Sequence, residues 1–240
     1  TFFMWVFVKW RPSLEFSLFS LKSMFKFGYK LLIAGFIDLF QKNIINIVIA
    51  KVFSIQDLGY LNRAEAIQKA PTQTFSKIIN RVIFPMFSNI DGDIDKKVND
   101  LKKTIRYTVL LIFPLIWFLF FFSKPLILFL LGDGWLISSK YLSLLALSAF
   151  LFPLESIYQS FLKSEGDSGS ILFVDTVKLI SMVPIVGIGI KYGIEYFIYG
   201  LIIKSIITHL LYIYITTKKV MLGFLSQIRL LVLPFFSSYL

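Results

Sequence analysis

Runs of about twenty apolar residues recur along this chain, separated by short and mostly basic connectors. A helical run of that length matches the ~30 Å hydrocarbon core of a bilayer. No water reaches backbone groups inside that core, so each run must satisfy its own peptide hydrogen bonds. The expected fold class is all-α, a polytopic transmembrane helix bundle. Composition agrees, since 57% of the 240 residues are hydrophobic, above the ~45–50% of an ordinary soluble domain. Cysteine is absent, which excludes disulfides, thiolate catalysis and cysteine-based metal sites.

The runs predict spans at about 24–53, 57–89, 104–131, 137–163, 168–191 and 193–217. Residues 1–8 read as the last turns of a truncated span, closed by Lys9 and Arg11 with Trp5 and Trp10 at the interface. The expected organisation is then 1–23, a span end and cytoplasmic connector; 24–217, a six-helix transmembrane lobe; and 218–240, a cytoplasmic connector and the start of a further span near Leu225. Segment 12–26 reads as a basic connector and 91–106 as a charged loop. Thr1 opens the chain without the basic region and cleavage site of a signal peptide, so the chain reads as a fragment of something longer.

Charge orients these spans. If 9–26 is cytoplasmic, alternation puts 91–106, 163–169 and 217–229 on the same side, and these segments hold thirteen of the 25 Lys and Arg residues. The opposite connectors hold four: Lys51, Lys124, Lys140 and Lys191. That asymmetry obeys the positive-inside rule, and it requires 57–89 to count as a crossing. Membrane topology therefore explains most of the +11 net charge better than nucleic-acid binding does.

Eight cations remain within the spans, Lys30, Lys42, Arg63, Lys69, Lys77, Arg81, Lys178 and Lys204, against the acids Asp38, Glu65, Glu155 and Asp175. The densest stretch is Gly59 to Ser88. At 100° per residue, Arg63 and Arg81 share one helical face and Lys77 lies about 40° away. A cation at the bilayer centre costs ~2.5–3.5 kcal/mol, so this stripe needs an aqueous cavity or an anionic partner. The bland alternative is an amphipathic hairpin outside the membrane. Asp38, Lys42 and Asn46 make a second polar stripe at i, i+4 and i+8. Arg63, Lys77, Arg81, Lys42, Asn46 and Asn80 are the candidate contacts for an anionic cargo; Asp38, Glu155 and Asp175 are the candidates for ion coupling.

Other signals have plainer readings. Spacing pairs Glu65 with Lys69, Asp175 with Lys178, Glu155 with Gln159 and Lys204 with Thr208, each within one helix. Pro71, Pro85, Pro114, Pro153 and Pro184 are expected to kink their helices around a polar lumen. Gly166 to Ser170 is read as a connector and not a nucleophile's setting, because the lone histidine, His209, lies in an apolar span. Asp91, Asp93 and Asp95 fail the calcium-loop pattern at Lys96 and Lys102 and read as a solvated turn before a helix. Tyr192, Tyr196 and Tyr199 read as an interfacial belt. No metal, cofactor or P-loop is indicated.

Two long segments carry a family resemblance: WRPSLEFS followed by FKFGYKLLIAGFIDLFQKNIINIVIAKVFSIQDLGYLNRAEAIQKAPTQTFSKIINRVIFPMFSNI, and FPLIWFLFFFSKPLILFLLGDGW. LGYLNRA and NRVIFPMFS are the most specific parts. The sequence resembles the polysaccharide flippases of the MOP (multidrug/oligosaccharidyl-lipid/polysaccharide) exporter superfamily, which serve O-antigen, exopolysaccharide and lipopolysaccharide synthesis in bacterial inner membranes. The resemblance implies a MATE-like fold of two lobes around a cavity, with this chain the second lobe and the first lobe missing. It implies a cargo of undecaprenyl-pyrophosphate-linked oligosaccharide, moved by alternating access through a cationic cavity without ATP. Membrane lipids, and the polysaccharide polymerase machinery, are the further partners it suggests. A lipid II or drug exporter of the same superfamily, or a membrane polysaccharide polymerase or ligase, are the alternatives.

Overall fold

The computed structural model describes residues 17–88, 90, 93–220 and 223–232. The expected span end at 1–8 with Trp5, Lys9, Trp10 and Arg11, the aspartate Asp91, and the last span beyond residue 232 lie outside the described residues. The elements are α1 Leu18–Val52, α2 Ile55–Ser88, α3 Ile94–Phe121, α4 Ser123–Leu131, a 3-10 turn Asp133–Trp135, α5 Leu136–Ala149, α6 Leu151–Ser164, α7 Ser168–Tyr192, α8 Ile194–Val220 and α9 Phe224–Val232. Among the described residues five stretches are long and apolar enough to cross a membrane: α1, α3, the run Asp133–Ser164, α7 and α8. The outer surface matches, with Phe36 70%, Val183 74% and Phe129 86% exposed, a surface suited to hydrocarbon and not to water. The protein is an all-α, multi-pass membrane bundle.

Two helices start earlier than the apolar runs suggest. α1 begins inside the expected 12–26 connector, where the Ser17 hydroxyl accepts the N–H of Ser20 at 3.3 Å. α3 begins inside the expected charged loop, where the Asp93 carboxylate accepts the N–H of Lys96 at 2.8 Å. A capped first turn of good helix formers such as Leu and Lys needs no apolar face, so hydropathy does not reveal it.

Prolines divide two of the expected spans. α3 stops at Phe121 and α4 restarts at Ser123 with Pro125 third in line; α5 stops at Ala149 and α6 restarts at Leu151 with Pro153 third. In a first turn the missing N–H costs no internal hydrogen bond, so the break falls just upstream of the ring. Pro71, Pro85, Pro114 and Pro184, by contrast, sit inside helices that run on through them.

Charged and aromatic contacts sort the connectors into two ends. Lys97 reaches Glu165 at 2.6 Å and Lys219 reaches Asp167 at 2.8 Å, gathering the start of α3, the α6–α7 turn and the end of α8. At the other end Lys140 pairs with Glu195, and Tyr60 meets Trp135 edge to face at 5.7 Å. These two groups are the ones that the positive-inside rule assigns to opposite sides. α2 is too polar to count among the five apolar stretches. It nevertheless lies parallel to the Asp133–Ser164 run along its length, from Tyr60 on Trp135 to Phe87 on Phe161, rings 5.2 Å apart.

The interior has an apolar cluster toward each end and a third, of Ile112, Ile116, Leu119, Ala146 and Ala149, between α3 and α5. Phe87, Leu101, Ile105, Phe161 and Tyr212 belong to the one at the basic end; Leu61, Ile127, Leu142, Ile185 and Phe197 to the one at the opposite end. In lipid such packing rests on close contact more than on water release. α7 and α8 approach most closely at small residues: a Cβ on Gly200 would stand 2.7 Å from Cγ2 of Ile185, and one on Gly189 would stand 2.8 Å from Cβ of Phe197. The turn between them is made by Gly193 at φ 107°, a conformation glycine adopts without a Cβ clash.

Candidate functional site: a polar layer between the spans

Between the two end clusters the helices change character over a turn or two. On α1, Asp38 and Gln41 come between Ala34 of one cluster and Ile49 of the other; on α7, Asp175 and Lys178 come between Val174 and Met182. Lys204 and Thr208 do the same on α8, and Glu65, Gln68, Lys69 and Thr72 on α2, while α6 adds Glu155 and Gln159. These side chains line a cavity of about 520 Å³.

Its centre is an ion-paired network. Lys178 Nζ donates to Glu155 Oε2 at 2.9 Å and lies 3.6 Å from Asp175 Oδ1, while Thr208 Oγ1 donates to Glu155 Oε1 at 2.8 Å. Gln41 Nε2 donates to the Asp175 carbonyl at 3.4 Å, and Gln159 Nε2 to the Tyr212 hydroxyl at 3.0 Å. Glu155 is 7% exposed, and a charge that buried persists only when paired and hydrogen-bonded. The network joins α1, α6, α7 and α8.

The Glu65–Lys69 and Asp175–Lys178 pairs form as their spacing suggests. Glu155 and Lys204 are different: Glu155 bonds Lys178 and Thr208 instead of Gln159, and Lys204 lies 3.7 Å from Met182 Sδ instead of bonding Thr208. Side chains stacked along one helix point into the cavity side by side, and there each meets a group from a facing helix. Lys178, Lys204 and Thr208 thus belong to the site although spacing marked them only as local partners. Their signal was present as charge and hydroxyl at mid-span.

Among the described lining residues, Lys69, Lys163, Lys178 and Lys204 stand against Asp38, Glu65, Glu155 and Asp175. This cavity is charge-balanced, four lysines against four carboxylates. Of the residues singled out for function, the structure brings Asp38, Glu155 and Asp175 together here. Arg63, Lys77 and Arg81 are exposed on α2 and do not line it. With Asn62, Thr74 and Ser88 they make an exposed polar stripe, interrupted by Phe84, opposite the buried Leu61, Gln68, Thr72, Ser76 and Phe87; Gln73 lies at its edge and reaches the cavity. The Arg63 guanidinium lies 5.5 Å over the Trp135 ring, toward the end opposite Lys97 and Lys219. Arg81 lies ~27 Å further along the helix. Asn80 accepts a 2.6 Å hydrogen bond from Ser160 and so fastens α2 to α6. Asn46 is exposed on α1 away from the cavity, and the Lys42 side chain lies outside the described residues.

Gly166 and Asp167 lie in the expected connector, and Ser168 to Ser170 form the first turn of α7. Gly166 takes φ 69°, and Asp167 caps α7 by accepting the Ser170 N–H at 3.0 Å. Burial raises the Asp167 pKa, but Lys219 and Ser170 outweigh it and hold the carboxyl below its ordinary 3.8. A depressed carboxylate contributes stability above its unfolded pKa and loses it as pH falls through the folded one. The stability gap between wild type and Asp167→Asn, followed by thermal unfolding in detergent, should therefore be open at pH 6 and close as the pH drops below about 4.

Fold and polar layer together define a helical, multi-pass membrane protein with a polar region among its spans. A family model described as polysaccharide biosynthesis protein matches residues 1–140, and the chain belongs to that family. It is 27% identical over 168 residues to the succinoglycan biosynthesis transport protein ExoT of Rhizobium meliloti, covering 69% of this chain and 33% of the relative. It is 25% identical over 231 residues to the lipopolysaccharide biosynthesis protein WzxC of Escherichia coli, covering 95% of this chain and 47% of the relative. A third relative, the teichuronic acid biosynthesis protein TuaB of Bacillus subtilis, is 26% identical over 79% of this chain and 37% of its own. The chain thus spans a third to a half of the length of these curated relatives. No solved structure matches it. Helical spans and bacterial relatives place the protein in the inner membrane.

Proposed function

We propose that this chain is the second lobe of a two-lobe flippase that carries an undecaprenyl-pyrophosphate-linked oligosaccharide across the bacterial inner membrane by alternating access. The observation that carries this reading is the exposed polar stripe of α2. α2 runs beside a full membrane-spanning stretch and counts as the sixth crossing of the lobe, yet its outer face presents Arg63, Thr74, Lys77 and Arg81 among the exposed Ile78, Val82 and Phe84. Such a face is too costly for lipid and needs water and a further part of the protein across from it. Arginine suits a diphosphate because its planar fork holds two oxygens at once. Separated by ~27 Å, Arg63 and Arg81 cannot hold one diphosphate together, so they serve it at successive positions.

The balanced cavity has a different task in this reading. Asp38, Glu155 and Asp175 are carboxylates on three helices that must move relative to one another, and a coupling cation or proton taken up among them would bias the two access states. Names such as succinoglycan biosynthesis transport protein support a carrier over an enzyme. The missing first lobe, membrane lipids and polymerase machinery are the partners.

In the full-length protein, Lys77→Gln with Arg81→Gln should cut surface-polysaccharide export by roughly tenfold to a hundredfold, the worth of ~1.5–3 kcal/mol for a charge-assisted bond. Membrane levels of the variant should stay at those of wild type, because both side chains are exposed. Wild-type export from the double variant would overturn the proposal.

A further inference from the structure

At the end that gathers Lys97, Glu165 and Lys219, α1 and the α6–α7 turn enclose a second recess of about 490 Å³. Lys26 and Lys30 of α1 and Lys163 of α6 line it, with one carboxylate, Asp167. That carboxylate is already engaged, by Lys219 at 2.8 Å and by the N–H and hydroxyl of Ser170 at 3.0 and 2.7 Å. Among the described residues no ion pair engages Lys26, Lys30 or Lys163. The Lys30 ammonium lies over the first turn of α7, 3.3 Å from the point where a Cβ on Gly169 would stand, with Asp167 Oδ1 3.6 Å from that same point.

Asp167 is shared with Lys219 and Ser170, so it offsets only part of the positive charge gathered here. A helix N-terminus carries roughly half a positive charge, and two more ammoniums share the recess. Like charges gathered in a recess repel, and an anion among them adds an attraction to each that offsets the repulsion. The surroundings say what kind of anion. Met24 and Phe27 of α1 complete the wall, and Met24 is 73% exposed beside Phe25 at 71%, so the recess opens against an apolar surface. A phosphate that carries hydrocarbon satisfies both sides; a free anion satisfies one.

We propose that this recess holds the phosphate of a lipid in the cytoplasmic leaflet. Two lipids supply that chemistry, an anionic phospholipid and a polyprenyl pyrophosphate. Lys163 lines both this recess and the 520 Å³ cavity, so a phosphate held here stands at the inner mouth of the polar layer. The site rests on the recess alone and would exist whether or not the protein transports anything.

The test uses the full-length protein in detergent, titrated separately with phosphatidylglycerol, phosphatidylcholine and undecaprenyl pyrophosphate and read by native mass spectrometry. A basic residue near an anionic headgroup is worth about fivefold, so Lys30→Gln with Lys163→Gln should weaken binding roughly thirtyfold. Loss confined to phosphatidylglycerol assigns the site to phospholipid; loss confined to undecaprenyl pyrophosphate assigns it to the polyprenyl lipid. Phosphatidylcholine binding should be unchanged. Lys26→Gln with Lys30→Gln repeats the test on α1 alone, should the first pair disturb folding. Wild-type affinity for both anionic lipids in either folded variant would overturn the proposal. Because the readout is binding, its failure leaves the export experiment on α2 standing, and the reverse holds too.

Discussion

Replacing Lys178 by methionine is expected to destabilise the bundle by about 3–5 kcal/mol. Lys178 is the shared counter-charge of Glu155 and Asp175, at 2.9 and 3.6 Å, and those carboxylates come from α6 and α7. Methionine keeps most of the side chain's volume, so the cost is electrostatic: two carboxylates lose the ammonium they share, and Lys204 of the same cavity is not within ion-pair distance of either. Thr208 still donates to Glu155, which softens the loss without replacing a charge. Adding Glu155→Gln to Lys178→Met should recover a large part of the stability, because it removes one of the two stranded charges. Unfolding of the full-length protein in mixed micelles measures both. A single variant as stable as wild type, or a double variant no better than the single, would show that the network does not hold these helices together.

Gly200→Ala is the second large effect, at about 1–3 kcal/mol for one methyl group. The new Cβ would stand 2.7 Å from Cγ2 and 3.0 Å from Cγ1 of Ile185, inside the contact that seats α8 on α7. Side-chain ends can yield a few tenths of an ångström, but Ile185 is itself buried and its branch at Cβ leaves it few rotamers. Ile185→Ala removes both offending atoms. The two changes together should therefore cost clearly less than the sum of the two alone, which is the signature of contact between them. Strict additivity would mean that α7 and α8 separate more easily here than their packing indicates.

Much of the frame was legible from hydropathy, because α7 and α8 are single unbroken apolar runs: expected at 168–191 and 193–217, found at Ser168–Tyr192 and Ile194–Val220. The breaks at Phe122 and Phe150 were not, since proline chemistry alone does not say whether a helix restarts at the ring or carries on, as it does through Pro114 and Pro184. The site divided in the same way. Amphipathic period placed Arg63, Lys77 and Arg81 on one face of α2, and they are on one face. Which way that face turns depends on what α2 packs against, and α5 and α6 took the side of Gln68 and Thr72. Partners such as Lys178 with Glu155 lie 23 residues apart on different helices, beyond the reach of any periodic argument.

The cations on the exposed stripe of α2 are unevenly placed, Lys69 being paired with Glu65 to one side of it. Arg81 and Lys77 are one turn apart, ~6 Å along the axis, whereas the ~21 Å from Lys77 to Arg63 is bridged by alanines, Gln73 and Thr74. A headgroup gliding along this face would be gripped near either door and released in between. In the transport proposed above, strong anchorage throughout would trap the load, so this interval would keep passage brisk and leave the choice of direction to whatever opens and shuts the two doors.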